Sequence, residues 1–349
     1  MIVKIDTLII GAGFAGASTA YHLSAASDRS ILMLERESEP GLHASGRNAA
    51  LLLQPVSVPL VRRLNRDSRL AYEKRAAQTG YGASGSVLVG RLSTLQEVYA
   101  PREVESHWIA PEGLPSEIPL LEGYAFEAAL QTPTDGVMDI ERLLRFYLQG
   151  ARSRGVQLRL DSPVRSIEGE GPFLVRAGEE TFEAKTLVNA AGAWAGQVAQ
   201  LAGASDIPLT PMKRHLFWLS GIPLSPDWPF VWDLERDFYF RPDKGRLLFS
   251  LCDESTDATL DTSPAPGISE RLVGLIEQHL PALRGFSLDE VRACFRTHSP
   301  DGAPLIGPDP TLPSFFWVAA LGGYGMGASW ELGRMAAAGL MGRDGPEFH

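Results

Sequence analysis

Three glycines and a carboxylate near the N-terminus have the types and spacing for binding a dinucleotide. Gly11, Gly13 and Gly16 form a G-x-G-x-x-G pattern after the apolar stretch 4–10, and a helical pattern follows. The first glycine permits a tight turn, the second lets a pyrophosphate approach the backbone, and the third lets a helix pack on a strand. Glu35 ends the next apolar stretch, where it can accept hydrogen bonds from a ribose. The pattern predicts a dinucleotide site, but alone it separates neither NAD from FAD nor a true site from an incidental turn.

Three later segments are rich in small residues, as expected where backbone passes close to a cofactor. The glycines of the last segment open a helix whose positive N-terminal end can face a cofactor ring, with a plain helix cap as the alternative. The segments are HASGRNAALL at 43–52, TLVNAAGAWAGQVAQLAG at 186–203, and RACFRTHSPDGAPLIGPDP followed by FFWVAALGGYGMGAS at 292–329.

The elements that must position these residues follow from hydrophobic periodicity. A chain of 349 residues is too long for one small core. We predict an α/β plus α+β protein, in which a Rossmann-like cofactor-binding domain is assembled from several chain segments and carries an inserted antiparallel β-sheet domain for the substrate. Helices are predicted at 59–79, 139–155, 269–280 and 328–341, and strands at 4–10, 31–35 and within 206–261. The predicted cofactor domain comprises 1–80, 135–205 and 288–349, and the substrate domain comprises 81–134 and 206–287.

Composition disfavours several classes of protein. The formal net charge of -10 argues against a nucleic-acid partner. No apolar run approaches the ~18 residues that span a bilayer, so no transmembrane segment is predicted, and peripheral membrane contact stays open. Cys252 and Cys294 have the spacing of neither a disulfide framework nor a zinc site, which predicts a reducing, cytoplasmic compartment and no bound metal. Arginine outnumbers lysine, which favours a bacterial source.

The four glycine-containing segments together resemble the D-amino acid oxidase and glycine/sarcosine oxidase superfamily of FAD-dependent oxidoreductases. The chain looks closest to the bacterial D-arginine dehydrogenase type, through LHASGRNAALL, PMKRHLFW, DFYFRP and WVAALGGYGM. The resemblance implies FAD as the cofactor. For Arg47 and Asn48 an exposed basic loop is the alternative, and for Val164 an ordinary strand position. The implied FAD contacts are Gly11, Gly13, Gly16, Glu35, Arg36, Ser45, Arg47, Asn48, Ala49, Val164, Gly192, Trp194, Gly322, Gly323, Gly325 and Met326.

The same resemblance implies a group of residues that hold the substrate. Arg296 matches an arginine that binds the substrate carboxylate, and a guanidinium can hold both oxygens of such a group. Arg214 matches a second arginine, Tyr239 a tyrosine that hydrogen-bonds the carboxylate, and Gly323 a glycine whose carbonyl accepts the amine. The alternatives are a structural role for Arg296, a solvated loop charge for Arg214 and a core position for Tyr239.

Departures from the arginine-specific pattern predict a small or apolar substrate. Ser86 stands where the D-arginine dehydrogenase type has a carboxylate for the substrate guanidinium. Leu51 and Val56 stand where it has a pocket histidine and a lid tyrosine. His215 and Trp218 are expected to add pocket surface.

Cys294 matches the position where monomeric sarcosine oxidases bond a cysteine to the flavin. A buried, inert thiol is the commoner state of a single cysteine. We therefore predict noncovalent FAD, with a covalent link through Cys294 as the alternative.

The resemblance implies oxidative deamination of an amino acid, with a D configuration and a small or apolar side chain. Hydride leaves the α-carbon for flavin N5, and the imine product hydrolyses to a keto acid and ammonia. Oxygen, a quinone or another acceptor takes the electrons. The alternatives are oxidation of a secondary amine of the sarcosine or glycine kind, oxidation of a 2-hydroxy acid, and a non-catalytic or partner-dependent FAD-binding protein.

Overall fold

The computed structural model describes residues 2–96 and 103–343. Its elements form two large sheets with helices packed against them. The strands are β1 (Ile2–Ile10), β2 (Ile31–Leu34), β3 (Leu51–Leu52), β4 (Ser86–Gly90), β5 (His107–Ile109), β6 (Ala128–Thr132), β7 (Gly136–Val137), β8 (Gln157–Arg159), β9 (Val164–Glu168), β10 (Phe173–Ala177), β11 (Glu180–Asn189), β12 (Thr210–Ser220), β13 (Phe230–Asp233), β14 (Phe238–Asp243), β15 (Arg246–Ser250), β16 (Ser255–Thr256), β17 (Ser287–His298), β18 (Leu305–Pro308) and β19 (Phe315–Ala319). The helices are α1 (Phe14–Ala26), α2 (Pro59–Glu73), α3 (Ala76–Thr79), α4 (Leu92–Thr94), α5 (Leu114–Glu117), α6 (Ile140–Arg152), α7 (Ala195–Ala202), α8 (Ile268–His279) and α9 (Ser329–Leu340).

The first sheet brings the glycine-containing segments to one edge. Its strand order is β18-β19-β11-β1-β2-β8, and β1, β2, β11 and β19 are parallel. Parallel strands are covered on both faces, which explains why β2 is a continuous buried apolar run. Helices α1, α6 and α9 share one core and α7 contributes to another. Because the carboxyl ends of parallel strands meet at one edge, Gly11, Glu35, Ala190 and Ala320 follow their strands at the same place.

The second sheet has two faces that alternate along each strand. Its order is β16-β12-β15-β14-β13-β4-β6-β5, with β17 paired to β12, and its pairs are antiparallel apart from β13 with β4. Phe217 and Leu219 belong to a core that includes residues of α8. Leu216 and Trp218 belong to the cluster of Val56, Tyr239 and other apolar side chains on the opposite face. This alternation decides which side chains of β12 can reach the site.

Strand β17 lies across the predicted domain limit at residue 288. It pairs with β12 along most of its length, from Ser287 opposite Ser220 to His298 opposite Thr210. The chain returns to the first sheet only at β18 and β19. The division into two domains stays a prediction, and the strand pairing supports a limit after His298. A strand pattern in the sequence does not reveal which sheet supplies the partner, because both sheets offer similar apolar neighbours.

The predicted helices form with small changes at their ends. The predicted helix 59–79 is divided into α2 and α3, and Gly80 ends it in the left-handed conformation, with φ of +72°. Helix α6 begins after Asp139, whose carboxylate accepts a hydrogen bond from the backbone N–H of Arg142 at 2.9 Å and caps the helix. Among the helices of residues 2–96 and 103–343, none has both the length and the apolar character needed to cross a membrane.

Two helix glycines make a matched test of packing. A Cβ at Gly333 in α9 would lie 2.5 Å from the backbone carbon of Ser18 in α1, whereas a Cβ at Gly274 in α8 would meet no atom within 4 Å. We expect Gly333→Ala to lower the free energy of unfolding by about 1–3 kcal/mol through overpacking. Gly274→Ala should raise it by about 0.5–1 kcal/mol, because alanine favours helix. Chemical denaturation of both variants measures the difference, and equal stability would contradict the close packing of α1 on α9.

Candidate cofactor and substrate site

The first glycine turn is shaped by close backbone contacts. Gly11 has φ of +106°, and its N–H donates to the Leu34 carbonyl at 2.8 Å. A Cβ at Gly11 would lie 2.4 Å from the carbonyl oxygen of Ala190, and one at Gly16 would lie 2.0 Å from the carbonyl oxygen of Gly11. Neither position has room for a side chain, so the loop from β1 to α1 passes directly beside the end of β11.

Glu35 and Ser45 complete this end of the site. One carboxylate oxygen of Glu35 accepts the Ala12 N–H at 2.9 Å, and Glu35 is only 8% exposed. The Ser45 hydroxyl accepts the Phe14 N–H at 2.9 Å, and a Cβ at Gly13 would lie 2.7 Å from it. The N–H of Phe14 is thus already bonded within the protein, and a phosphate at this helix N-terminus, where such anions bind, would use the N–H groups of the residues that follow.

A cleft extends from this loop across the edge of the first sheet. It contains all the predicted FAD contacts except Gly16, Arg47 and Ala49. Gly16 serves helix packing, and the carbonyl of the buried Ala49 accepts a hydrogen bond from Arg241 at 2.7 Å. Asn48 lines the cleft, but its amide bonds the carbonyls of its own loop rather than standing free. The predicted contacts in the lining are Gly11, Gly13, Glu35, Arg36, Ser45, Asn48, Val164, Gly192, Trp194, Gly322, Gly323, Gly325 and Met326.

His43 is a cleft residue that sequence reasoning missed. Its ring lies 4.5 Å from the Trp194 ring, and the Arg36 guanidinium lies 4.9 Å from the same indole. Its Nε2 is 2.9 Å from a carboxylate oxygen of Glu37, while its Nδ1 is buried without a hydrogen-bond partner among the described residues. An unpaired polar atom in such a cleft fits a polar ligand. The signal in the sequence was its place at the start of HASGR, but its contact with Trp194 joins segments far apart in the chain.

Arg296 also belongs to the cleft lining. The residue is only 6% exposed and lines the cleft. Its guanidinium makes no ion pair or hydrogen bond within the part of the chain that the structure describes. Gly323 has φ of +92°, and a Cβ there would lie 2.8 Å from Cδ of Arg296. The glycine therefore leaves space for the stem of an arginine whose charged end is unpaired.

Arg214 and Tyr239 lie near Arg296, but neither is part of the cleft lining. Arg214 donates to Glu254 at 2.6 Å and to the carbonyl of Cys252 at 3.3 Å. Tyr239 is buried, and burial raises the pKa of its phenol, against the opposing effect of the charges on Arg296 and Arg214. The phenol is therefore protonated at neutral pH and can donate a hydrogen bond.

His215, which was expected to add pocket surface, does not line the cleft. It is fully buried, with Nδ1 at 2.6 Å from Asp253 and Nε2 accepting the Ala265 N–H at 2.9 Å. Successive side chains of a strand point to opposite faces, so Arg214 and His215 cannot both face the cleft. Trp218 shares the face of Arg214, and its indole N–H donates to Asp243 at 2.7 Å.

Ser86, Leu51 and Val56 also lie outside the cleft lining. The Ser86 hydroxyl donates at 2.6 Å to Asp135, which accepts two more hydrogen bonds from Gln54. Burial raises the pKa of Asp135 to about 7. Val56 is fully buried and Leu51 packs against the same apolar cluster as Tyr239. The hydroxyl of Ser86 is thus used in an internal hydrogen bond. Matching Ser86 to the position of a substrate-binding carboxylate did not reveal this bond.

Comparisons with known proteins match nearly the whole chain. A family model described as "DAO: FAD dependent oxidoreductase" matches residues 6–338. The chain is 28% identical to the mitochondrial dimethylglycine dehydrogenase of Rattus norvegicus, over 93% of this chain and 41% of that protein. It is 26% identical to the monomeric sarcosine oxidase of Streptomyces avermitilis, over 90% of this chain and 87% of that one. The chain thus spans less than half the length of the dimethylglycine dehydrogenase.

Solved structures share the fold. An L-proline dehydrogenase from P. horikoshii has a TM-score of 0.86 at 20% identity, covering 97% of this chain and 93% of its own. A glycine oxidase from Geobacillus kaustophilus has a TM-score of 0.82 at 20% identity, covering 98% and 96%. The predicted fold class, the superfamily resemblance and FAD as the cofactor are confirmed.

The contact of Gly13 with Ser45 predicts a loss of FAD affinity. In Gly13→Ala the new Cβ would lie 2.7 Å from the serine hydroxyl, at an overpacking cost of about 1–3 kcal/mol. We expect the Kd for FAD to rise about tenfold or more. Fluorescence titration of the apoprotein measures it, with Gly82→Ala as the control because a Cβ there meets no atom within 4 Å. Unchanged affinity in Gly13→Ala would contradict this geometry.

The environment of Cys294 predicts noncovalent FAD. The thiol lies in the cleft lining, and burial raises its pKa, so it is protonated and unreactive at neutral pH. We expect acid precipitation to leave the yellow cofactor in the supernatant, and Cys294→Ser to bind as much FAD as the wild type. Flavin that stays with the precipitated wild-type protein, but not with the variant, would establish the covalent alternative.

Proposed function

Because the chain belongs to the DAO family of FAD-dependent oxidoreductases, we propose that it oxidises the carbon–nitrogen bond of a small amino acid bound through its carboxylate. The observation that carries the proposal is the unpaired, buried guanidinium of Arg296 in the cleft lining. Burying a cation without a partner is unfavourable, so such a group indicates an anionic ligand. A carboxylate matches the guanidinium through two parallel hydrogen bonds.

The carboxylate of the substrate fixes the position of the atoms next to it. Held by Arg296 beside Gly322 and Gly323, the substrate carries its amine and α-carbon towards the rest of the cleft, and this positioning supplies much of the catalysis. Bound FAD supplies the two-electron acceptor that the reaction requires. The positive charge of Arg296 favours the neutral amine, from which a hydride can leave. The charge of Arg296 acts on the protonated phenol of Tyr239, which would assist in holding the carboxylate.

The first candidate substrate is a D-amino acid with a small or apolar side chain. The cluster of Val56, Leu216, Trp218 and Tyr239 lies on the same face of the second sheet as Arg214, and its members are almost fully buried. These side chains do not line the cleft itself, but a substrate that extends from Arg296 towards Arg214 would meet them, and an apolar surface offers little to a charged side chain. The product imine would hydrolyse to a keto acid and ammonia.

The second candidate is an N-methylated amino acid. The names of two relatives support it. A dimethylglycine dehydrogenase matches 93% of this chain, and a monomeric sarcosine oxidase matches 90% of it. The same carboxylate contact with Arg296 serves both candidates. Our proposal includes a cytoplasmic, bacterial setting and oxygen, a quinone or another small acceptor for the electrons.

A substrate panel separates these candidates. We expect D-amino acids with small apolar side chains, or N-methyl amino acids, to bleach the flavin absorbance of the anaerobic protein. Re-admitted air then distinguishes an oxidase from a dehydrogenase. L-amino acids and 2-hydroxy acids complete the panel, and bleaching by 2-hydroxy acids alone would overturn amine oxidation. No bleaching at all would favour a non-catalytic or partner-dependent flavoprotein.

Replacing Arg296 tests the carboxylate contact. We expect Arg296→Met to lower the apparent second-order rate constant for flavin reduction about a hundredfold or more, because the buried charge pair between Arg296 and the substrate carboxylate is lost. Arg296→Lys should retain part of it, since an ammonium keeps the charge without the paired geometry. Arg292→Met is the matched control, because Arg292 lies on the same strand with Glu290 as its partner. Equal rates in Arg296→Met and Arg292→Met would contradict the proposed role.

A further inference from the structure

Two arginines on neighbouring strands face the same side of the second sheet. In the antiparallel pair of β12 and β17, Arg214 lies opposite Cys294 and Met212 lies opposite Arg296. Residues opposite each other share a face, and so do residues two apart on one strand. Arg214 and Arg296 are therefore diagonal neighbours, and the charges of both act on Tyr239.

The two guanidinium groups differ in their partners. Arg214 donates to Glu254 at 2.6 Å and to the carbonyls of Cys252 and Asp253 at 3.3 and 3.4 Å. Arg296 has neither an ion pair nor a hydrogen bond within residues 2–96 and 103–343. The side chain of Arg214 is 16% exposed and that of Glu254 is 38% exposed, so the pair is only partly screened by solvent.

The position of Glu254 is built into its loop. Asp253, the residue before it, accepts hydrogen bonds from the backbone N–H of His215 at 3.1 Å and from its ring at 2.6 Å. Cys252 adopts a left-handed conformation with φ of +47°, and its N–H donates to the Ser250 hydroxyl. The segment that carries Glu254 is thus anchored to β12, the strand that also carries Arg214.

His298 and Asp237 also lie near the pair of Arg214 and Glu254, and neither offsets the negative charge of Glu254. The His298 ring has its Nε2 at 3.7 Å from Glu254, and burial lowers the pKa of His298, so the ring is neutral at neutral pH. Asp237 also acts electrostatically on Glu254 and Arg214, with a negative charge when ionised. Arg214 is therefore compensated, and Arg296 remains the uncompensated cation of the two.

We propose that Glu254 determines substrate specificity by occupying the place on Arg214 that a second substrate carboxylate would take. The site then accepts one carboxylate, on Arg296, and disfavours a dicarboxylate. A second carboxylate would have to displace Glu254 or lie in contact with it, and two negative charges in contact repel each other. The inference rests on the proposed function, because it names the class of amino acid that the site selects, namely monocarboxylates.

Binding of simple carboxylates tests the inference without turnover. Acetate and malonate are titrated into the FAD-loaded protein at constant ionic strength and neutral pH, and the change in the visible flavin spectrum gives each Kd. The wild type should bind acetate more tightly than malonate. Glu254→Gln frees Arg214, so its Kd for malonate should fall about tenfold or more, while its Kd for acetate should change less than about threefold.

Two further variants identify the cause of the change. The double variant Arg214→Met with Glu254→Gln should lose the gain for malonate, because the freed cation is gone. Glu290→Gln is the matched control, since Glu290 lies on β17 with Arg246 and Arg292 as its partners. It should leave both Kd values as they are in the wild type.

Several outcomes would overturn the inference. They are a wild type that binds malonate as tightly as acetate, a Glu254→Gln variant with unchanged affinity for malonate, an equal gain in Glu290→Gln, and a wild type that binds neither probe. The wild-type comparison decides the matter even where Glu254→Gln fails to fold. Since no amine is oxidised in this assay, failure of the proposed function appears separately, as the absence of bleaching in the substrate panel.

Discussion

The steric contact between Gly11 and the carbonyl of Ala190 is the constraint on which the arrangement of the site depends. A Cβ at Gly11 would lie 2.4 Å from that carbonyl oxygen, so only glycine lets the first loop turn beside the end of β11. This contact joins two segments that are about 180 residues apart in the chain. The parallel pairing of β1 with β11 and β2 then brings Glu35 and the segment 186–203 to the same edge. The cofactor cleft is a consequence of that shared edge.

The substrate end depends on a different rule, the alternation of side chains along β12 and β17. Arg214 and Arg296 share a face, while His215 points into the opposite core and is held by Asp253 and Ala265. Both arginines are positively charged, but the charge of Arg214 is balanced by the carboxylate of Glu254, whereas Arg296 has no such partner among the described residues. The function that we propose uses the unpaired charge, and the selectivity that we infer uses the paired one.

The family resemblance and the proposed chemistry depend on different parts of the molecule. The resemblance is carried by small residues around the cleft, whose role is to admit backbone and cofactor to the same space. The chemistry is carried by a few charged side chains on the second sheet, whose meaning depends on their neighbours. The dimethylglycine dehydrogenases that match this chain are more than twice as long as the matched part, so the shared region is one part of a larger protein in those relatives.

The sequence by itself determined the features that arise from local patterns. The glycine turn, the acidic end of β2 and the main helices follow from spacing and residue type, whereas most of the predicted cleft lining came from the resemblance to a family. The tertiary structure alone decided which side chains are free. Ser86 bonds the buried Asp135, Arg214 bonds Glu254, and His43 meets Trp194 across the cleft. These pairs join residues between 40 and about 150 positions apart, and a hydrogen bond or ring contact depends on distances of a few ångströms that no local pattern encodes.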